Sequence, residues 1–286
     1  MSQLIQMRRR IATIETIHKI TNAMRLIAMS GHSRLKHKDE LILNYKKQIE
    51  ELYQQIRTQI PADYDPMAKH IDPQAPELII VIGSQKGLCG GFNSHLFHFF
   101  EEYVRTKTKP KLITIGKRAT DYIPDKKYGQ VLLSQSTFNI NNIHAIVSEI
   151  SQIISEPEAR YSRITVVSNV LKTFFSQRPM AHCLLPLETE STYESKQQNT
   201  AFEGYLWEQT PQSIINDLAY LYLEATLHAL LFQSLLAEQA ARFLSMDNST
   251  RNAESLLESY KIQYNKLRQA KITKEINELV SSISSN

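Results

Sequence analysis

QSIINDLAYLYLEATLHALLFQSLLAEQAARFLSMDNSTRNAESLLESYKIQYNKLRQAKITKEINELVSSISSN, residues 212–286, runs to the end of the chain without a glycine or a proline. Those two residues are the strongest helix breakers, so the stretch predicts a single helix. Thr210 supplies the N-cap hydroxyl, and Pro211 suits the first helical position, where a missing N–H leaves nothing unpaired. At a rise of about 1.5 Å per residue the helix spans about 110 Å, roughly three times the width of a mid-sized compact domain, and must project from any globule the chain makes.

A helix of that length needs a partner. Leu218, Leu221, Ala225, His228, Phe232 and Leu235 alternate steps of three and four, as a coiled-coil seam does. The same stepping meets Gln239 and Arg242 before Met246, then continues loosely through Ala253, Leu256, Tyr260, Tyr264 and Leu267. The first sixty residues are the evident mate, with no proline and one glycine, Gly31. Ile17, Ile20, Met24 and Ile27 repeat the stepping, as do Ile42, Tyr45, Ile49, Leu52 and Ile56. One helix enters the middle of the chain by its C-terminal end and the other leaves by its N-terminal end, so the two pack antiparallel. The C-terminal helix is longer by about 15 residues and should extend about 20 Å past its partner.

Composition agrees: 286 residues, 42% apolar and a net charge of +4, are enough for one ordinary core with extensions. No apolar run reaches the roughly 18 residues that a membrane span needs. Met1 to Ile14 is arginine-rich and acid-poor, as a transit peptide is, yet it flows unbroken into the helical pattern. Cys89 and Cys183 make no disulfide framework and point to a reducing compartment, each as a small apolar side chain.

From Met1 to Lys38 there are eight cations, Arg8, Arg9, Arg10, Lys19, Arg25, Arg34, Lys36 and Lys38, against the single acid Glu15. That imbalance suits an acidic partner, or simply a solvated helix face. Nucleic acid is a weaker third reading, because no aromatic side chain precedes Tyr45 to stack on bases. The C-terminal helix is balanced.

The middle of the chain changes character at Pro61. Pro61, Pro66, Pro73 and Pro76 mark a linker. Glu77 to Gly83 (ELIIVIG) reads as a buried strand, Asn93 to Lys107 as a helix, Lys111 to Ile115 and Gln130 to Ser134 as strands, Asn139 to Ser155 as a helix and Arg163 to Ser168 as a strand. Leu171 to Gln177 and Ala181 to Leu185 follow too closely for a crossover helix and should pair antiparallel. The fold class is therefore α/β: a Rossmann-like domain with a mostly parallel sheet, inserted into a long antiparallel coiled coil of N- and C-terminal helices. The expected parts are an N-terminal helix over 1–60, a linker over 61–76, the α/β domain over 77–187, a connecting foot loop over 188–210 and the C-terminal helix over 211–286.

Catalytic patterns are missing. The turn after the first strand, Gly83-Ser84-Gln85-Lys86-Gly87-Leu88-Cys89-Gly90-Gly91, stands where such folds cradle phosphate, but it matches neither G-x-G-x-x-G nor G-x-x-x-x-G-K followed by Ser or Thr. Gly87, Gly90 and Gly91 serve instead to turn the chain tightly. His32 and His37 lie five apart and share no face. His95 and His98, among Leu96, Phe97, Phe99 and Phe100, read as packing rather than as metal ligands. No G-x-S-x-G elbow occurs. No cofactor is expected. Three classes stay open on the residues alone: a structural shaft, a nucleotide-binding α/β enzyme with helical extensions, and a basic coiled-coil module for nucleic acid.

Four separated stretches carry a resemblance. Arg8-Arg9-Arg10-Ile11 with His18-Lys19-Ile20-Thr21-Asn22-Ala23-Met24, the turn SQKGLCGGFN from Ser84 to Asn93, Met246-Asp247-Asn248-Ser249-Thr250-Arg251-Asn252-Ala253, and Tyr264 to Glu275 (YNKLRQAKITKE) resemble, in order and spacing, the gamma subunit of F-type ATP synthases, a central rotor shaft. The chain departs from the family in two places. Gln85 replaces an acid, and Leu279-Val280-Ser281-Ser282-Ile283 stands where a glycine-alanine pair is usual, which marks a divergent member or one that serves an alternative ATPase. The resemblance implies a non-catalytic subunit that couples ion flow through a membrane ring to ATP synthesis or hydrolysis. It would sit peripherally on the cytoplasmic face of a bacterial inner membrane, inside a sleeve of three alpha and three beta subunits and against an epsilon subunit and the c-ring. It also implies roles for single residues. Arg268, Gln269 and Thr273 would bond a loop of the beta subunit, and Met24 would meet a beta subunit's acidic lever with Lys19 and Arg25 nearby. Tyr205, Trp207 and Glu208 would belong to the foot that meets the ring and epsilon.

Overall fold

The computed structural model describes residues 2–57, 59–61, 64, 66–126, 128–156, 158–187 and 209–284. Strand β1 (Leu78–Ile82) is buried at every position, as its unbroken LIIVI run requires of a strand covered on both faces. It lies at the centre of a five-stranded sheet of order β3-β2-β1-β4-β5, with β2 at Lys111–Ile115, β3 at Gln130–Gln135, β4 at Ile164–Thr173 and β5 at Ser176–Leu185. The first four strands are parallel, with Ile80 opposite Ile113 on one side and Val166 on the other, while β5 pairs antiparallel with β4. Leu171 to Gln177 is not a strand of its own. It is the end of β4, the turn at Phe174 and Phe175, and the start of β5.

Helix α1 (Ser2–Arg57) and helix α5 (Pro211–Ser284) flank three shorter ones: α2 (Phe92–Val104), α3 (Lys117–Tyr122) and α4 (Ile143–Ser155). Thr210 caps α5 as expected, its hydroxyl 3.3 Å from the backbone N–H of Ser213. α4 begins four residues later than its apolar spacing suggests. The Asn142 side chain accepts from the N–H of Asn139 and donates to the carbonyl of Thr137, so the asparagine-rich entry forms a turn instead of a helix. α3 is too short to show a period, and the sequence does not announce it. It follows Gly116, whose φ of 86° places any added Cβ 2.3 Å from the carbonyl oxygen of Gly83, a position only glycine tolerates.

By compactness the chain forms two units, residues 31–241, and residues 1–30 with 242–286. In the larger unit α2 and α3 cover one face of the sheet, with Leu96, Phe97, Phe100, Ala119 and Ile123 on Ile79, Val81, Leu112 and Val167. The other face packs Ile80, Ile82, Ile113 and Val166 into one continuous core with α4, with α1 from Leu35 to Ile56 and with α5 from Ile215 to Leu236. α5 is therefore clad on nearly every side between Ala225 and Ala241. Leu221 is nonetheless exposed. On α1 the buried series is Ile49, Tyr53 and Ile56; Tyr45 and Leu52, read from the sequence as seam residues, face solvent. Gly31 lies where Gln239 of α5 approaches to 3.2 Å of a would-be Cβ.

The smaller unit is a pair of antiparallel helical segments, fixed by three cross-contacts: Glu15 to Lys261 at 3.6 Å, Thr21 to Thr250 at 3.0 Å and Arg25 to Asp247 at 2.8 Å. Its seam is displaced from the one expected. Leu4, Met7, Ile11, Ile14, His18, Thr21, Arg25 and Ala28 step by three and four along the sheltered side, whereas Ile17, Ile20 and Ile27 are 45%, 56% and 61% exposed. The polar pairs decide this. Asp247 and Thr250 on α5 require hydrogen-bonding partners, which Arg25 and Thr21 supply, and the more apolar stripe is turned outward. On α5, likewise, Leu257 takes the inner position and Leu256 the outer. Carried on from Glu15 and Lys261, the register brings Ser2 abreast of residue 274, so about ten residues of α5 extend past α1 rather than fifteen.

Candidate functional site

Two constellations stand out, one in each unit. In the smaller unit Asp247 accepts from Arg25 at 2.8 Å and, one turn on, from Arg251 at 2.9 Å, while Arg25 also donates to the Asn22 side chain. Hydrogen bonding from Arg25, with the charge of Arg251 in support, holds the Asp247 carboxyl below the usual range. One turn away the buried hydroxyls of Thr21 and Thr250 meet, and Thr250 and Ser249 each also bond back to the carbonyl four residues earlier. Arg25 is thus engaged within the chain, with Asp247 and Asn22.

In the larger unit the glycine turn closes on α5. The N–H of Ser84 donates to the Asn93 side chain at 3.1 Å, and the N–H of Gln85 donates to the Glu238 carboxylate at 3.1 Å. The Gln85 side-chain oxygen accepts from the N–H of Phe138 at 2.7 Å. Asn93 also donates to the Ser84 hydroxyl, and Asn169 donates to the carbonyl of Phe92. Beneath the turn Cys89 and Phe92 pack on Ala237 and Ala241, whose short side chains let the loop approach the helix closely. Leu88 and Gly90 adopt positive φ, and the Leu88 side chain is exposed.

This turn cannot cradle phosphate as it stands. Its first two N–H groups are already bonded, and the group that takes the second is a carboxylate, which would repel a phosphate. The open cleft beside it, about 500 Å³, is lined by Arg118, Tyr122, Phe97 and Glu101. Tyr122 stacks on Phe97 at 4.2 Å. Glu101 accepts from the hydroxyls of Tyr122 and Tyr128, which with Lys126 hold its pKa down to about 2. His95 and His98 are exposed rather than packed, the second 3.4 Å from Glu102. Among the described residues no group of three or more His, Cys, Asp and Glu is arranged for a metal ion, and no helix is long and apolar enough to cross a membrane.

What this architecture belongs to is decided by comparison. The sequence model of the ATP synthase family matches residues 3–285. Two similar proteins are ATP synthase gamma chains, from Chloroherpeton thalassium (27% identical, 98% of this chain and 97% of that one) and Chlorobaculum tepidum (28%, 98% of each). The chain belongs to the ATP synthase gamma family. Among solved structures the rotor of the Euglena gracilis mitochondrial ATP synthase shares its fold with a TM-score of 0.65 at 15% identity, over 95% of this chain and 99% of that one. The Tetrahymena thermophila mitochondrial ATP synthase central stalk and c-ring follows at 0.57 and 19%, over 80% and 98%. Gamma subunits are stalk subunits and carry no catalytic site of their own, so the enzyme and nucleic-acid alternatives have no support.

The residues that the gamma resemblance singled out fall in separate places. Arg268, Gln269 and Thr273 are exposed on α5, the last two one turn apart on a shared face. Met24 is half-buried on α1, beside the outward stripe of Ile17, Ile20 and Ile27. The Thr21–Thr250 register places Met24 abreast of residues 247–248, about 30 Å along α5 from Arg268, so the structure does not bring these together. Tyr205, Trp207 and Glu208 lie outside the described residues. The Glu238 and Asp247 contacts went unread, because a lone acid within a long helix looks like surface. Only the pairing of Thr21 with Thr250, both inside stretches already quoted, could have hinted at the second.

Proposed function

We propose that this chain is the rotor shaft of an F-type ATP synthase, peripheral to the cytoplasmic face of a bacterial membrane, where it couples ion flow through a c-ring to ATP synthesis or hydrolysis. One observation carries the reading: the helical pair of the smaller unit turns Ile17, Ile20 and Ile27 outward as one stripe. Such a face is half of an interface. A sleeve of three alpha and three beta subunits would cover it. A shaft that touched all three catalytic sites alike could bias none of them, and moving one subunit from 1:99 to 99:1 between two states takes about 5.5 kcal/mol of differential contact. A pair of unlike helices has no threefold symmetry, which gives the shaft the asymmetry this requires.

Within that reading Met24, Arg268, Gln269 and Thr273 contact beta subunits, and Tyr205, Trp207 and Glu208 contact the ring and epsilon. Exposed donors and acceptors, Gln269 and Thr273 on one helical face with Arg268 beside them, suit hydrogen bonds to a loop. The test is to tag the chain, solubilise host membranes gently and measure what co-purifies. Alpha and beta at about three copies each, with epsilon and ring subunits, is the expected result; a lone chain beside unbound ATPase subunits would sink the proposal. Arg268→Ala with Gln269→Ala should lower coupled turnover about tenfold, a loss of one to two hydrogen bonds at a catalytic interface, with thermal unfolding unchanged.

A further inference from the structure

The cleft between α2 and α3, about 500 Å³, is of a size that holds a small metabolite. It is bounded by the segments that leave the carboxyl ends of β1 and β2, where open α/β sheets take their ligands. Its two ends carry opposite charge. Beside the glycine turn the Arg118 guanidinium lies over Gly87, 2.7 Å from where a Cβ on that glycine would stand. The Arg118 side chain is exposed and, among the described residues, makes no hydrogen bond or ion pair. At the other end the hydroxyls of Tyr122 and Tyr128, at 2.6 and 2.5 Å, and Lys126 at 3.5 Å all meet Oε1 of Glu101 and keep that carboxyl ionised. Its second oxygen, Oε2, accepts from none of the described residues. Between the two charges Tyr122, one turn beyond Arg118 on α3, stacks on Phe97 and lends the cleft an aromatic wall. Leu88 lines the cleft as well, 59% exposed and held at a φ of 64°, so an apolar side chain stands in water where it could cover a bound ring.

From Asn93 to Glu101 helix α2 rises about 12 Å. A ligand that used both ends of the cleft would therefore be elongated, with an anion for Arg118, a flat ring for the aromatic wall and a hydrogen-bond donor for Glu101. We propose that the cleft binds a nucleoside monophosphate whose base carries an exocyclic amine, such as adenosine monophosphate, with the phosphate on Arg118 and the amine donating to Oε2 of Glu101. One phosphate is as much charge as the cleft neutralises. Arg118 is the one Lys or Arg among the described residues that line it, and the N–H groups of Ser84 and Gln85 are already bonded to Asn93 and Glu238. A base without the amine would leave an ionised carboxylate covered and unpaired. The site lies within the larger unit and needs no other subunit, so it stands apart from the rotor reading.

The experiment is calorimetry on the purified full-length chain, free of other subunits, with four probes: adenosine monophosphate, adenosine, purine riboside monophosphate, which lacks only the amine, and ATP. The monophosphate should bind about tenfold more tightly than either adenosine or the amine-free analogue. Arg118→Gln should weaken the monophosphate about tenfold and leave adenosine unchanged, and Glu101→Ala should weaken the monophosphate about tenfold and leave the amine-free analogue unchanged. Thermal unfolding of both variants checks that the chain still folds, and Arg118, being exposed, carries the test if Glu101→Ala does not. Loss of binding in this assay would leave the rotor reading untouched, as failure of co-purification would leave the cleft untouched. No saturable binding of the monophosphate at millimolar concentration, ATP binding more tightly than the monophosphate, or an affinity indifferent to Arg118→Gln would each overturn the proposal.

Discussion

Glu238 shows how much one side chain does in this fold. It is buried on α5, and its carboxylate receives the N–H of Gln85 from a loop 153 residues earlier in the chain. The departure at position 85 makes sense beside it: the amide oxygen accepts from Phe138, and an acid there would bring a second negative charge to the turn that Glu238 already faces. Replacing Glu238 with alanine removes the acceptor and leaves a donor unsatisfied, a loss of about 1–3 kcal/mol. Glu238→Gln keeps an oxygen in place and should recover most of that loss. Urea unfolding of the purified chain measures both; equal losses from the two substitutions would show that the hydrogen bond to Gln85 is not what the side chain contributes.

At the scale of elements, the contact of α1 and α5 with the sheet should be sensitive to acid. His32 and His228 are held below their ordinary pKa mainly by burial, with Lys36 and His144 adding to the effect, and His182 on β5 is lowered likewise by burial and by Lys46 of α1. A histidine whose folded pKa is depressed binds its proton more readily once unfolded. Stability is therefore full above about pH 6.5 and falls as pH drops from there toward the folded values. The urea midpoint of the chain should be lower at pH 5.5 than at pH 7.5, and His32→Leu should shrink the difference; a flat profile would contradict it. These histidines also mark what the sequence could and could not tell. The sheet was legible because LIIVI and KLITI are apolar runs of strand length, and α5 because nothing in it breaks a helix. The seams were not, because the stepping rule selects the most apolar stripe. In α1 that stripe, Ile17, Ile20 and Ile27, is the outward one, and the pairs that fix the register are polar and more than 220 residues apart.

At the scale of the whole molecule, the two units are stabilised in different ways, and this sets how each should behave alone. The unit of residues 31–241 buries a continuous core of Ile80, Phe100, Ile150, Leu227 and Phe232, among others, and should open only with global unfolding. The unit of residues 1–30 and 242–286 has a thinner seam, in which Leu4, Met7, Ile11 and Ile14 are only half-buried and His18, Thr21 and Arg25 follow them. The polar contacts across it are one hydroxyl pair and two ion pairs, and the exposed one of these, Glu15 to Lys261, contributes little. Long helices with so little apolar burial fray in isolation. Hydrogen exchange on the free chain should therefore find the amides of 3–25 and 255–280 exchanging at least a hundredfold faster than those of β1 and of α5 between 227 and 237, a gap of about 3 kcal/mol in opening free energy. Assembly should raise protection in the first set and leave the second unchanged, because a sleeve would cover the outward isoleucines that the free chain leaves wet. Equal protection of both sets in the free chain would mean that the helical pair is stable without a partner, and its exposed stripe would then need an explanation other than an enclosing sleeve.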